Sequence, residues 1–322
     1  MSKVLMPDTH SNSQLGLLNS FLIFIVGPTA VGKSDIGLCL APRLNAEIIC
    51  CDALQVYREI AIANDKPSAQ VRGSLPHHLV DILSVTEDFN VARYRELAVF
   101  AIQDVRTRGK TPLIVGGSGM YMSVLLDGIF EGSANEEDLR EELTQEISDK
   151  GLSSLNERLK TLDPKAAAKI HPNDTQRVIR ALEVVLSTGK PLSQLQQKRD
   201  GLWGKIPIKI FALNRPREEL YQRVEARIED MFAKGLVEEV KRVSALPMSI
   251  TARKLIGIPE VMGYLNGEYD LERAKYLMKL NTRHYVKRQL TWFRKEKRLT
   301  WIDIAPNQSA AEIADIMAGQ IN

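Results

Sequence analysis

The residues Gly27-Pro-Thr-Ala-Val-Gly32-Lys33-Ser34 place two glycines, a lysine and a hydroxyl in the order that cradles a chain of phosphates. Gly27 and Gly32 let the backbone curl, so that Pro28, Thr29, Ala30 and Val31 form a loop around bound phosphate oxygens. A helix beginning near Lys33 adds its positive dipole end. Lys33 then neutralises phosphate charge, and the Ser34 hydroxyl is the expected ligand of Mg²⁺, the one cofactor the motif implies. Six apolar residues, Phe21–Val26, precede the loop, and helix-compatible sequence runs on to Leu40. This is the strand, loop, helix setting that a phosphate loop requires, and a glycine-rich turn of some other α/β protein is the competing reading.

A hydrolysing phosphate-loop motor needs an acid at the end of a strand such as Thr111–Val115, but that strand runs into Gly116-Gly117-Ser118-Gly119. The acid at a strand end near the loop is Asp52, after Ala46–Cys51. In small-molecule kinases of this architecture an acid in that place takes a proton from the acceptor group, so Asp52 is a candidate general base. Gly116-Gly117-Ser118 offers amides and a hydroxyl where the sheet opens, or a plain tight turn.

Cationic residues form two further groups. Arg177 and Arg180 are three apart on a helix whose apolar stripe is Val178, Leu182, Val185 and Leu186. Between Arg273 and Leu299 ten lysines and arginines face one acid, and Arg283, Lys287, Arg294 and Arg298 are spaced to line one side of a helix expected over Leu271 to Lys297. Tyr285, Trp292 and Phe293 are interleaved with them. Glu131 to Asp149 reverses the balance, with eight acids against Arg140. A net charge of +3 does not by itself demand nucleic acid, but the basic helix suits a polyanion or a solvated face.

The elements that position these residues alternate. Strands are expected at Phe21–Val26, Ala46–Cys51, His78–Ile82 and Thr111–Val115, with helices after the loop, over Asn90–Arg106 and from Met120 to Leu126. Pro42 is expected to end the first helix early. Strand sequence then vanishes from about Glu131 to Lys205, where helices are expected over 136–148, 152–162, 164–170 and 174–187. It returns at Ile206–Leu213, followed by a helix over 217–234 and a strand at Thr300–Ile304. The pattern describes an α/β fold: a phosphate-loop core, residues 21–130 and 206–322, with a mostly parallel, doubly wound sheet and an all-helical insertion domain at 131–205. The first twenty residues read as a flexible leader. Cys39, Cys50 and Cys51 lack metal-ligand spacing and read as free thiols of a reducing compartment, and no segment is long enough to span a membrane. A cytoplasmic protein is expected.

These features fall into a known order. GPTAVGKS (27–34), CDALQVYR (51–58), DKPS (65–68), PHHLVDI (76–82), VGGSGMY (115–121), IHPNDTQRVIRALEV (170–184), RPREELYQRV (215–224), GLVEEV (235–240) and TRHYVKRQLTWFR (282–294) resemble the bacterial transfer RNA dimethylallyltransferase family from about Leu22 to Ile304. The resemblance implies that the loop grips dimethylallyl diphosphate rather than ATP and that Mg²⁺ assists. The prenyl group passes to the exocyclic amine of the adenosine 3′ of the anticodon. It implies catalytic roles for Asp52, Lys33 and Ser118, and diphosphate contacts from residues 27–34, Arg140 and Arg217. It also implies transfer RNA contacts from Asp52, Ala53, Leu54, Gln55, Gln176, Arg177, Val178, Ile179, Arg180, Arg283, Lys287 and Arg294, with the insertion binding the anticodon stem-loop and the enzyme acting as a monomer. Ala53 stands where the family usually has serine, and Asn64 and Ile258-Pro259 also depart from its pattern. The other readings are an isopentenyltransferase acting on a free adenine nucleotide, a small-molecule kinase, and an RNA-binding paralogue without chemistry.

Overall fold

The computed structural model describes residues 21–130, 137–198 and 200–321, so the expected leader lies outside the described residues. The chain divides into two compact units, one formed by the residues up to Leu125 together with those from Trp203 onward, the other by Leu126–Leu202.

The first unit is built on six parallel strands in the order β3-β2-β4-β1-β5-β6. β1 (Leu22–Val26) is buried along its whole length between β4 (Thr111–Gly116) and β5 (Ile208–Asn214), which is why its sequence is a continuous apolar run. α1 (Lys33–Arg43) follows the loop and stops one residue after Pro42, consistent with the missing amide of a proline near a helix end. β2 (Ala46–Cys50) then leads to Asp52. After α2 (Ala69–Ser74), the strand expected over His78–Ile82 shrinks to β3, His77–His78. The cause is local: Leu79 (φ 63°) and Asp81 (φ 57°) take left-handed backbone, which breaks the ladder although Leu79 and Val80 stay buried. α3 (Val91–Thr107) starts on its Asn90 cap and packs beside β4, and α4 (Gly119–Asp127) follows the glycine turn.

The second unit is helical among its described residues: α5 (Glu137–Lys150), α6 (Leu152–Leu162), α7 (Pro164–Ala167), α8 (Thr175–Thr188) and α9 (Leu192–Leu195). Its core is Leu143, Leu155, Leu159, Val178, Ala181, Leu182 and Val184. Asp163 is buried, caps α7 through the Ala166 amide at 3.0 Å, and accepts from Ser193 N (2.8 Å) and Oγ (2.7 Å).

After β5 come α10 (Arg217–Ala233), α11 (Leu236–Ser244), α12 (Ile250–Arg253), α13 (Ile258–Leu265), α14 (Leu271–Phe293), β6 (Thr300–Asp303) and α15 (Ala310–Ile321). The basic helix therefore ends four residues before the expected Lys297. Beyond its end Glu296 accepts from the Arg298 amide at 3.0 Å and from the Arg298 guanidinium at 2.8 and 2.7 Å, so Arg298 lies off the helix face it was expected to share.

Inside the first unit, Glu47 on β2 is a buried carboxylate that pairs with Arg108 and with Lys110 and His78, each at 2.7 Å. The Arg108 hydrogen bond is the main cause holding its carboxyl at about 2 against an ordinary 4.5. A depressed pKa contributes stability above pH 4.5 that is lost as pH falls toward 2. Glu47→Gln should therefore lower unfolding stability at pH 7 by about 1–3 kcal/mol, because it removes hydrogen bonds to a charged group. Urea melts should show the gap between the two proteins closing below pH 4.5.

Candidate active site

The phosphate loop has a shape its own sequence does not complete. Gly27 sits at φ 144°, and a Cβ there would lie 2.8 Å from the Leu213 carbonyl, so only glycine fits where β1 leaves the sheet. Ala30 takes left-handed backbone at φ 65°. The loop carbonyls of Ala30 and Val31 accept from Arg223 Nε (2.7 Å) and Arg215 Nε (3.0 Å). Thr29 Oγ1 accepts from Arg227 at 3.3 Å, and Arg227 also pairs with Asp65 at 3.2 Å. The Thr29 amide donates to Gln289 Oε1 at 2.8 Å, and Gln289 Nε2 donates to the Gly117 carbonyl at 2.9 Å. Sequence reasoning missed Arg215, Arg223, Arg227 and Gln289. The signal for two of them was present, since Arg223 and Arg227 are four apart on one helix face within and just after the RPREELYQRV stretch.

Lys33 Nζ donates to the carbonyls of Gly27 (3.1 Å) and Pro28 (2.8 Å). Desolvation lowers its pKa to about 8, partly offset by the negative charge of Asp52. Asp52 Oδ1 accepts from the Leu54 amide at 3.0 Å, and desolvation raises its pKa above the ordinary carboxylate value against that hydrogen bond and the charge of Lys33. The two side chains thus share a pocket without closing into an ion pair, which leaves a carboxylate of raised basicity facing it.

That pocket, about 130 Å³, is lined by Thr29, Gly32, Lys33, Ser34, Asp52 and Arg227 among others. Thr29, Asp52 and Arg227 also line a second hollow of about 90 Å³, whose remaining wall includes Val224, Ile228, Met231, Leu255 and Met278 with Tyr285. A polar end built for phosphate therefore shares residues with an apolar end. Such a pair of hollows suits a phosphorylated ligand with a short hydrocarbon chain.

Comparison with known proteins agrees. The family model described as IPP transferase matches residues 55–296. The chain belongs to the IPP transferase family. The tRNA dimethylallyltransferase of Heliobacterium modesticaldum is 43% identical over 282 residues, covering 87% of this chain and 88% of that protein. The enzyme of that name from Thermotoga maritima is 41% identical over 285 residues, covering 88% and 92%. Among solved structures, the full-length tRNA isopentenylpyrophosphate transferase of Bacillus halodurans is 37% identical with a TM-score of 0.68, covering 94% of this chain and 97% of that one. A eukaryotic dimethylallyltransferase acting on tRNA is 28% identical with a TM-score of 0.75, covering 94% and 77%.

Other positions expected from the IPP transferase pattern have distinct surroundings. Ser118 Oγ accepts from the Tyr121 amide at 3.4 Å, and its amide donates to the Cys51 carbonyl at 3.2 Å, so its hydroxyl stands at the start of α4. Ser118 is not among the residues lining either hollow. Ala53 and Leu54 are half-buried, and Gln55 donates to the Asn64 carbonyl at 3.3 Å. Glu239 is buried and its carboxylate accepts from the amides of Ala61, Ile62 and Ala63 at 2.8–3.0 Å, which fixes the turn that presents Asn64 and Asp65 to the pocket. At the departure Ile258-Pro259, Glu260 accepts from the Gly257 amide at 2.7 Å and from Asn281 at 2.6 Å, a helix-start role.

In the helical unit Gln176 and Arg177 are exposed, and Arg177 pairs with Asp174 at 3.2 Å. Val178 and Ile179, expected to touch RNA, are instead buried core residues, because α8 must present its apolar stripe to α6. Arg140 and Arg180 both pair with buried Glu183, at 3.3 and 3.1 Å. On α14, Arg283 pairs with Glu225 and lies 5.3 Å over the Tyr221 ring, while Lys275 and Lys279 pair with Glu229. The acidic side of α10 therefore neutralises the first part of the basic helix. Lys287 and Arg294 line a cavity of about 690 Å³ with Arg215, Arg217, Leu290 and Asp303.

Lys33 yields a direct test of the loop. Binding of magnesium diphosphate should weaken as pH rises through about 8, where the Lys33 amine loses its proton. Lys33→Arg should remove that limb, since guanidinium stays charged, and the ratio of the two affinities cancels the ligand's own ionisation. Calorimetric titrations from pH 6.5 to 9.5 measure it, and parallel curves for the two proteins would contradict the assignment.

Proposed function

We infer that this IPP transferase is a tRNA dimethylallyltransferase: it moves the dimethylallyl group of dimethylallyl diphosphate to the exocyclic amine of the adenosine 3′ of the anticodon and releases diphosphate. The observation that carries the reading is the pair of hollows that share Thr29, Asp52 and Arg227: Lys33 and Ser34 line the polar one, and Val224, Ile228 and Met231 line the apolar one. The absence of an acid at the end of β4, which runs into Gly116-Gly117, argues against nucleotide hydrolysis at the loop.

The chemistry follows from charge. Breaking the allylic carbon–oxygen bond leaves both electrons on diphosphate, so cationic and amide donors around the loop favour the transition state over the bound substrate. The attacking nitrogen forms the new bond to the freed carbon and gives its proton to Asp52. A raised carboxyl pKa makes that acceptance easier. Ser34, an exposed residue lining the pocket, offers one hydroxyl. A single protein oxygen fits Mg²⁺, which takes most of its oxygens from substrate phosphates and water, and when bound the ion would neutralise leaving-group charge.

The RNA must enter with its target base out of the stack, where Asp52 can reach the amine. Gln176, Arg177 and the helical unit supply one proposed contact surface for the anticodon stem-loop, and Lys287 with Arg294 a second. The enzyme acts as a cytoplasmic monomer in this reading, and no described helix is long and apolar enough to cross a membrane.

Labelled dimethylallyl diphosphate offered with unmodified tRNA or with AMP should label only the tRNA, and labelling of AMP alone would make the protein a nucleotide enzyme. Asp52→Asn should cost about 10²–10⁴ in transfer rate while RNA binding persists, because a base is needed only during reaction. Near-normal turnover would remove Asp52 from the mechanism. Lys287→Ala and Arg294→Ala should each reduce the log–log salt slope of stem-loop binding by about 0.7–0.9. Arg283→Ala should change it less, since Glu225 already neutralises that side chain.

A further inference from the structure

α14 buries Ala274, Met278, Val286, Gln289, Leu290 and Phe293, and Gln289 is the one polar side chain in that set. A buried amide persists only if both its ends are satisfied. Here the partners dictate its orientation. The Thr29 amide can only donate and the Gly117 carbonyl can only accept, so Oε1 must face the phosphate loop at 2.8 Å and Nε2 must face the end of β4 at 2.9 Å. The bonds span 260 and 172 residues of sequence.

We propose that Gln289 is a positioning residue for the prenyl diphosphate, holding the phosphate loop and the Gly116-Gly117 turn in register so that Lys33 meets the ligand in one geometry. The inference rests on the reading of the loop as the diphosphate site. Three observations support it. The Thr29 amide is directed to α14 and withheld from any ligand, which sets the direction of the next peptide into the left-handed Ala30. Lys33 Nζ is held by the carbonyls of Gly27 and Pro28, the two residues just before Thr29. A Cβ on Gly117 would fall 2.4 Å from Gln289 Nε2 and 3.4 Å from Lys33 Nζ, so the glutamine amide and the lysine ammonium border the same small space. A glutamate in its place could accept from Thr29 but, when ionised, could not donate to Gly117.

The test uses the full chain with dimethylallyl diphosphate and Mg²⁺, by calorimetry without RNA, and then with an unmodified tRNA transcript for the two Michaelis constants. Gln289→Met keeps the length and apolar packing but removes both hydrogen bonds, and should weaken prenyl diphosphate binding about tenfold or more. Its KM for that substrate should rise in step, with KM for tRNA and the melting temperature close to wild type. Gly117→Ala should give the same selective loss by pushing the Gln289 amide away, and the double variant should lose little beyond the worse single one, since both disrupt one contact. Unchanged diphosphate affinity in either variant, or losses that multiply in the double variant, would overturn the proposal. Equal rises in both Michaelis constants with a lowered melt would make Gln289 a core residue only. If Gln289→Met does not fold, Gly117→Ala alone decides by the same criteria. Failure of the wild-type protein to bind the prenyl diphosphate would strike at the diphosphate reading itself.

Discussion

The carbonyls of Ala30 and Val31 accept from arginines 193 and 184 residues further along the chain, and the Thr29 amide donates to a glutamine 260 residues away. A loop that carries two glycines and a left-handed alanine has many conformations open to it, and a short loop makes few contacts of its own. Its shape is therefore imposed by α10, the residue Arg215 just before it, and α14. Two guanidinium donors and one amide oxygen satisfy backbone groups that would otherwise have to turn toward water or ligand, and these elements cannot move independently of the sheet without breaking those bonds. The affinity of this loop for phosphate thus depends on the packing of late elements as much as on the loop's own residues.

The same arrangement separates charge. Lys33 is drawn onto loop carbonyls rather than onto Asp52, and both groups sit in surroundings that disfavour their charged forms. Had they closed into an ion pair, the carboxylate would be a weaker base and the ammonium less free to meet a phosphate. Cys50 and Cys51, beside Asp52, feel the same desolvation. Burial lifts Cys51 to about 12 and Cys50 well above its ordinary value, so the thiols remain protonated and act as small packing groups.

Much of this was legible in the amino-acid sequence, where local pattern and local structure coincide. The apolar run before Gly27, the helix after Gly32 and the acid after β2 are set by neighbours in sequence, and they sit where periodicity placed them. What escaped was decided at long range. β3 is two residues long because Leu79 and Asp81 adopt left-handed backbone, which an apolar HLVDI stretch does not announce. Gln289 is one polar residue among apolar helix positions, and its partners are named only by the fold. Motif matching also overreached at Val178 and Ile179, where the same residues that carry the family pattern are needed for the helical core. The four-cation face lost Arg298 to Glu296, two residues away, and Arg283 to Glu225 across the helix pair.

The position of β1 governs how the protein can be made. It is the first described strand to leave the ribosome, yet one neighbour is β4 and the other is β5, which follows the entire helical unit. α1 packs against α15, near the far end of the sequence, where Arg43 pairs with Asp315 at 2.7 Å. The phosphate loop is consequently flanked by surfaces that stay uncovered during most of synthesis, whereas the helical unit makes its contacts among near neighbours and can condense as soon as it emerges. A nascent chain should carry a finished helical unit while its sheet is still open, and the loop becomes competent only when α10 and α14 supply the side chains that hold it. A half-made chain would then hold one folded unit while its phosphate loop still lacks the side chains that shape it.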